Sequence, residues 1–165
     1  MIVVSNSSPL ITLARLGRLD LLRQLFGRIH IAGEVHEEVV VRGAGRAAAE
    51  AVAGADWIEI HPPAAVPELA GLRARHPLGA GELATVLLAR ALPAELAIID
   101  ERSARRLAQA QGVTVIGCVG ILERGHRRGF VPDLRDAYGQ LLVHGIRIDR
   151  QILDQSLTSV GLPPL

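Results

Sequence analysis

The hydrophobic and polar positions of this chain divide it into short apolar runs and longer segments with helical spacing. Five apolar runs predict strands at residues 2–5, 29–32, 57–60, 96–99 and 113–116. Several of these runs are continuous rather than alternating, which is typical of strands covered on both faces. Because helical segments separate them, the pattern predicts crossover connections, a mainly parallel sheet and an α/β fold.

Apolar residues at helical spacing predict the helices between these strands. One helix follows the Ser7-Ser8-Pro9 cap and ends before Gly17, and its face of Leu10, Leu13 and Leu16 suits the core better than an interface. Further helices are predicted at residues 19–26, 34–41, 45–53, 82–91, 101–111, 117–129, 131–145 and 149–160. The proline-punctuated stretch 64–77 predicts a loop with a short helical piece. With no internal repeat or long linker, residues 1–165 are expected to form a single domain.

Composition narrows the functional classes. The net charge is only +1 and aromatic residues make up 2% of the chain, so neither a strongly basic surface nor a stacking platform for bases is expected. All 18 basic residues are arginine, which a GC-rich genome explains better than selection for phosphate binding. A single cysteine excludes an internal disulfide framework. No apolar run is long enough to span a membrane and no signal-peptide pattern is present, so cytoplasmic residence is expected.

Polar or acidic side chains stand where strands end and helices begin. Asn6 follows the first predicted strand, Asp100 follows the fourth, and Glu38 and Glu82 lie early in helices. In an α/β fold such positions converge at the carboxyl edge of the sheet, where ligands bind. Since magnesium and manganese prefer oxygen ligands, carboxylates gathered there predict a metal-dependent hydrolase.

Each of these residues also has a purely structural interpretation. Asp100 can cap the helix that begins at Glu101, and Glu82 can satisfy a helix dipole from the first turn. An ordinary solvated helix face explains Glu38, and an Asx-turn or cap explains Asn6.

Three other kinds of residue are considered as functional candidates: the arginines that follow Asp100, the histidines and the single cysteine. Arg102 is placed to bind phosphate, whereas Arg105 can pair with Glu101 four residues earlier. The six histidines show no ligand-like spacing, so no zinc site is expected. Cys118 can lie at a helix N-terminus, but no base partner is identifiable for it.

Taken together, several segments resemble the PIN-domain family, especially a bacterial and archaeal branch related to the VapC-type toxins. The resemblance runs from residue 2 to about residue 156, and its motifs are VSNSSPLI at 4–11, LGRLDLL at 16–22, Gly81-Glu82, IDERSAR at 99–105 and VIGCVGIL at 115–122. It implies a three-layer α/β/α fold with a central, mainly parallel sheet of about five strands. It also implies an acidic pocket that binds Mg²⁺ or Mn²⁺ and hydrolyses RNA phosphodiesters.

Position by position, the resemblance implies a set of site residues. The metal ligands fall at Asn6, Glu38, Glu82 and Asp100, with Glu101 as an auxiliary ligand; Glu38, Glu82 and Asp100 carry catalysis, and Ser7 and Arg102 contact substrate. The family's usual first residue is aspartate. Asn6 therefore removes one negative charge and weakens the hold on a cation.

Two functions follow as hypotheses. The first is a metal-dependent endoribonuclease that forms the toxin half of a toxin–antitoxin pair, a homodimer neutralised by a small antitoxin protein. The alternative, motivated by Asn6, is a catalytically degenerate PIN-like module that binds RNA or protein. Neither hypothesis involves a membrane.

Overall fold

The computed structural model describes residues 1–63 and 66–165, and its centre is a five-stranded parallel sheet. The strands are Val3–Ser5 (β1), Ile29–Ala32 (β2), Ile58–His61 (β3), Leu96–Ile98 (β4) and Val115–Ile116 (β5), in the order β3-β2-β1-β4-β5. Every pairing between neighbouring strands is parallel. The α/β class and the five predicted strands are thus confirmed, each to within about two residues.

Ten α-helices lie in the part of the chain that the structure describes. They are Ser7–Arg15 (α1), Asp20–Phe26 (α2), Gly33–His36 (α3), Ala47–Ala53 (α4), Val66–Arg75 (α5), Ala80–Ala91 (α6), Arg102–Ala110 (α7), Cys118–Arg127 (α8), Leu134–Val143 (α9) and Arg150–Ser159 (α10). Helix α3 continues directly into a π-helical segment, Glu37–Val41. None of the described helices is long and apolar enough to cross a lipid bilayer.

The sheet is covered on both faces, as the continuous apolar strands predict. Neighbouring residues of β1 point to opposite sides, so Val3 packs in one buried cluster and Val4 in the other. The first cluster includes Leu10 and Leu13 of α1, both fully buried, which confirms a core role for that helix face. The second cluster draws on α5, α6 and α7.

One prediction underestimated the length of a helix. Residues 66–75, expected as loop with a short helical piece, form the ten-residue helix α5, and residues 64 and 65 lie outside the described chain. Pro67 sits in the first turn, where a proline leaves the helix intact because that N–H has no partner within the helix. Leu72 is buried and Leu69 packs beside it, so tertiary packing supports the helix.

The strand order places a crevice at the end of β1. The chain builds β2 and β3 on one side of β1 and then crosses to build β4 and β5 on the other. Such a reversal leaves an opening outside the carboxyl ends of the two central strands, here β1 and β4. Asn6 and Asp100 follow those two strands.

Candidate active site

Asn6 lies at the carboxyl end of β1 and begins the crevice. Its backbone N–H donates to the carbonyl of Ile98 at 3.0 Å, which extends the pairing of β1 with β4 by one residue. Asn6 occupies the N-cap position of α1, yet its side chain makes no capping hydrogen bond. Asn6 is only 3% exposed, yet its side-chain amide does not hold the helix. It is therefore the N-cap residue by position but does not cap the helix through its side chain.

Glu38 reaches this crevice from the π-helical segment. An extra residue in the turn widens the helix locally, and such segments are often found at functional sites. The Ser7 hydroxyl donates to Glu38 Oε2 at 2.9 Å and joins two residues 31 positions apart. This bond shows that Glu38 faces the end of β1 and is not merely part of a solvated helix face.

Gly81 leaves room for these oxygens to meet. A Cβ at this position would lie 2.8 Å from Glu38 Oε2, 3.7 Å from Ser7 Oγ and 3.8 Å from Asn6 Oδ1. Since real Cβ atoms do not approach an oxygen to 2.8 Å, any side chain here would displace the Glu38 carboxylate. The missing side chain of Gly81 therefore creates a small space lined by three polar side chains.

Glu82 is the third residue of α6 and completes a capping box. Its Oε2 accepts from the backbone N–H of Gly79 at 3.1 Å, so the predicted role at the helix start is present. Partial burial raises the pKa of Glu82, and the nearby carboxylates of Glu101 and Glu38 raise it further against the lowering effect of the Gly79 N–H. These electrostatic couplings place Glu82 among the other acidic residues.

Asp100 caps a helix, but a different one from that predicted. Its Oδ1 accepts from the backbone N–H of Cys118 at 2.7 Å, at the start of α8 rather than of α7. Gly117 permits this approach, because a Cβ there would lie 2.8 Å from the same oxygen. Burial raises the pKa of the Cys118 thiol well above its usual value, and the Asp100 charge adds to the effect, so Cys118 remains a neutral thiol.

Glu101 and Arg105 do not form the ion pair that their spacing permits. The Ser8 hydroxyl donates to Glu101 Oε1 at 3.1 Å, while Arg105 Nη1 donates to the carbonyl of Ile99 at 2.8 Å. Glu101 thus faces the N-terminal end of α1, and Arg105 braces the segment that leads to Asp100.

The four carboxylates share one arrangement. In Glu38, Glu82, Asp100 and Glu101, one oxygen accepts a hydrogen bond from the protein, and within residues 1–63 and 66–165 the other oxygen accepts none. Among the described residues, no three of these acids place their ligand atoms within 4.8 Å of one another. The protein fixes each carboxylate while leaving an oxygen for a further ligand.

A groove of about 1300 Å³ opens beside Asp100 and Glu101. Its lining includes Arg102, Arg106 and Arg147, and no hydrogen bond or ion pair engages these guanidinium groups within the described chain. The groove lining therefore combines Asp100 and Glu101 with these cationic groups, and it also includes Glu123 and Asp149. This juxtaposition suits a polyanion whose reactive group must reach the acidic end.

Two features of the molecule escaped the sequence analysis. Thr85, fully buried, donates to the carbonyl of Gly81 at 2.7 Å and lies 3.5 Å from Asn6 Oδ1, so it supports the crevice from α6. Its position one turn after Glu82 is the only sequence signal for it. Separately, His30 and His61 lie in contact although their spacing of 31 residues shows no motif.

Comparison with known proteins agrees with this geometry. The family model described as a PIN domain matches residues 2–162, nearly the entire chain. No curated protein matches the chain at a significant level. PIN domains are generally nucleases, and they typically use divalent metal ions. On the extent of this match, the chain belongs to the PIN-domain family.

Proposed function

We propose that this protein is a Mg²⁺- or Mn²⁺-dependent endoribonuclease of the cytoplasm. The observation that carries the proposal is the gathering of Asn6, Glu38, Glu82, Asp100 and Glu101 around the crevice between β1 and β4. Beside it lies a groove whose lining includes three guanidinium groups without a partner in the described part of the chain. Nuclease activity is the general property of the family. The choice of metal and substrate rests on the chemistry of these side chains.

The donor set fits a hard divalent cation. All five candidate ligands present oxygen atoms, and the space left by Gly81 among Asn6, Ser7 and Glu38 is polar on each of those sides. We assign Glu38, Glu82 and Asp100 as principal ligands, Asn6 as a neutral ligand and Glu101 as an auxiliary one. A cation bound there would supply charge neutralisation and activate a water molecule.

The protein's own groups orient the reaction. Ser7 positions Glu38, the Cys118 N–H positions Asp100, and the Gly79 N–H positions Glu82, so rearrangement on substrate binding is small. We propose that Arg102, at the acidic end of the groove, steadies the phosphate to be cleaved. We also propose that Ser7, which lies next to Glu38, contacts the substrate.

The proposed reaction is a hydrolysis. The oxygen of water forms a new bond to phosphorus while the bond from phosphorus to one ribose oxygen breaks. The two protons of the water end on the departing ribose oxygen and in solvent or on the new phosphate, so one end carries a phosphate monoester and the other a hydroxyl. Single-stranded RNA suits the groove, because its phosphates can follow the guanidinium groups.

The direct test is RNA cleavage by the purified chain. We would incubate wild type, Asp100→Asn and the control Glu50→Gln with mixed cellular RNA in Mn²⁺ or Mg²⁺, with and without a chelator. Glu50 is an exposed acid on α4 that is neither a proposed ligand nor a residue lining the groove. The proposal predicts cleavage by wild type and Glu50→Gln that the chelator abolishes, and a loss of about 100-fold or more in Asp100→Asn.

Cleavage that survives in Asp100→Asn would contradict the assignment and indicate a contaminating nuclease. Circular dichroism of each variant shows whether any loss of activity reflects unfolding instead. Because Asp100 Oδ1 accepts the Cys118 N–H, an asparagine can keep that hydrogen bond through its own Oδ1, and the fold is expected to survive.

We further propose that the protein is the VapC-like toxin of a toxin–antitoxin pair, a homodimer inhibited by a small antitoxin protein. Its support is the similarity of the motifs at 4–11, 81–82 and 99–105 to that branch of the family. Expression should arrest growth in an Asp100-dependent manner, and light scattering should give twice the mass of one chain. A monomer that leaves growth unaffected would remove this part of the proposal.

A second candidate function is a catalytically degenerate module that binds RNA or protein. The specific observation in its favour is Asn6, which removes a negative charge from the position where the family usually has aspartate. Under this alternative, wild type binds RNA without cleaving it, and Asn6→Asp creates or strengthens Mn²⁺ binding. If wild type cleaves RNA with Mn²⁺ before any substitution, this alternative fails.

A further inference from the structure

A cluster of ligand-type side chains lies away from the crevice, on β2 and β3. His30 pairs with Glu59 across the two strands, and His61 lies two residues further along β3, so the three side chains point to one face of the sheet. His30 Nδ1 lies 2.9 Å from His61 Nε2. Glu59 Oε2 lies 3.9 Å from His30 Nδ1, and Glu59 Oε1 lies 3.7 Å from His61 Nε2.

These separations match the ligand cage of a small transition-metal ion. Ligands about 2.0–2.1 Å from a tetrahedral zinc ion are about 3.3 Å from one another. The distances of 2.9, 3.7 and 3.9 Å lie on both sides of that value. Within the described chain, this is the only group of three His, Cys, Asp or Glu residues whose ligand atoms all lie within 4.8 Å of one another.

The cluster is also held in place and open on one side. Both histidines are on strands of one parallel pair, and their side chains are only 16% and 19% exposed, whereas that of Glu59 is 46% exposed. Burial lowers the pKa of His30 against the opposing effect of Glu59. Solvent can supply a further ligand from the side of Glu59.

Arg28 forms an ion pair with one oxygen of Glu59, and the other oxygen is available to a metal ion. Its Nη1 lies 3.4 Å from Glu59 Oε2, while Oε1 of the same carboxylate faces His61. Arg28 and Glu59 are both well exposed, so their ion pair is weak and yields readily to a bound cation.

We propose that His30, Glu59 and His61 form a second metal site, selective for an ion of the zinc class such as Zn²⁺ or Co²⁺. Two imidazoles and one carboxylate favour such ions over Mg²⁺, which prefers oxygen ligands alone. The bound ion cross-links β3, an edge strand of the sheet, to β2. The inference is independent of the proposed nuclease activity, since it uses none of the crevice residues.

Calorimetric titration with Zn²⁺ tests the site. The chain is first treated with a chelator and dialysed, and the titration is done in the Asp100→Asn background so that the crevice contributes little. One equivalent of Zn²⁺ should bind and raise Tm, because a ligand that binds the folded state stabilises it. His30→Gln and His61→Asn should each weaken Zn²⁺ binding by about tenfold or more, whereas the control His144→Gln should not.

The alternative is that the two imidazoles only hydrogen-bond to each other. In that case His30→Gln and His61→Asn lower Tm by the same amount with and without Zn²⁺. The Zn²⁺ affinity of each variant then equals that of the Asp100→Asn protein. This result overturns the proposal. Should either histidine variant fail to fold, Glu59→Gln carries the test, because its exposed side chain can be changed without disturbing the core. Unchanged Zn²⁺ affinity in Glu59→Gln, with the histidine variants unfolded, would equally overturn the three-ligand site.

Discussion

Two glutamates of this molecule are held in opposite ways. Glu123 on α8 accepts from Ser156 at 2.7 Å and from Arg127 at 3.1 and 3.0 Å. Burial acts to raise the pKa of Glu123, but the hydrogen bonds from Ser156 and Arg127, together with the Arg127 charge, outweigh burial and lower it. Ser156 also contacts the hydroxyl of Tyr138, a fully buried side chain, so Glu123 belongs to a satisfied internal network.

Glu82 lacks such compensation. Its one hydrogen-bond donor within the described chain is the Gly79 N–H, and its acidic neighbours Glu101 and Glu38 raise its pKa in addition to burial. No ion pair within the described chain offsets these charges. Glu123 therefore stabilises the fold, whereas Glu82 and its acidic neighbours in the crevice keep negative charge that no ion pair within the described chain offsets.

The largest expected difference between the two glutamates is in catalysis. Glu82→Gln should reduce RNA cleavage by about 100-fold, because it removes a charged ligand while keeping an oxygen for the Gly79 N–H. Glu123→Gln should retain cleavage within about twofold of wild type. Single-turnover cleavage rates at saturating Mn²⁺ measure both. If both variants lost the same fraction of the cleavage rate, Glu82 and Glu123 would not differ in their importance for catalysis.

The next effect is on metal binding. Gly81→Ala should weaken Mn²⁺ binding by about tenfold, since its Cβ displaces the Glu38 carboxylate from the crevice. The fold should survive, because the atom that must move is the flexible end of a side chain. Gly139→Ala is the matched control: it lies in α9 with no atom within 4 Å of the added Cβ, and it should leave Mn²⁺ affinity unchanged.

Stability separates the glutamates in the other direction. Glu123→Gln should lower the free energy of unfolding by about 1–2 kcal/mol, because the neutral amide weakens the bonds from Ser156 and Arg127. The folded state holds the pKa of Glu123 below its value in the unfolded chain. This difference stabilises the folded protein when the pH is above the unfolded-state pKa. The stability difference from wild type should therefore shrink as pH falls through the lowered folded-state pKa. Urea unfolding at pH 7 and pH 3.5 tests both statements.

The smallest effect expected is a gain in stability in Glu82→Gln. Without added metal at pH 7, this variant should have a slightly higher Tm than wild type, because burial and neighbouring acids disfavour the charged carboxylate. A raised folded-state pKa makes wild type relatively more stable as pH falls through that pKa, so the gain should shrink under mildly acidic conditions. A lower Tm for the variant at pH 7 would show that Glu82 is structural.

The strands and the two residues that begin the crevice were predictable from sequence. Continuous apolar runs mark buried parallel strands, and polar residues directly after β1 and β4 necessarily lie at one edge of the sheet. The placement of Asn6 and Asp100 at this edge follows from the strand pattern alone. The alternation of helical segments with strands also predicted the α/β fold correctly.

Other features depend on packing that sequence patterns do not record. The length of helix α5 was underestimated because the prolines around it resemble loop punctuation, whereas the packing of Leu72 in the core supports the full helix. The partner of Asp100 is a helix 18 residues away, not the adjacent one. His30 and His61 meet only because of the register of β2 and β3, which their separation of 31 residues cannot reveal.

The most direct test of the account is a titration of Mn²⁺ followed by the electron paramagnetic resonance signal of the free ion. Wild type and Glu50→Gln should remove the signal by binding Mn²⁺ with the same affinity, and Asp100→Asn should bind about tenfold or more weakly. That result would establish the crevice between β1 and β4 as the manganese site. Equal Mn²⁺ affinity in wild type and Asp100→Asn would contradict it.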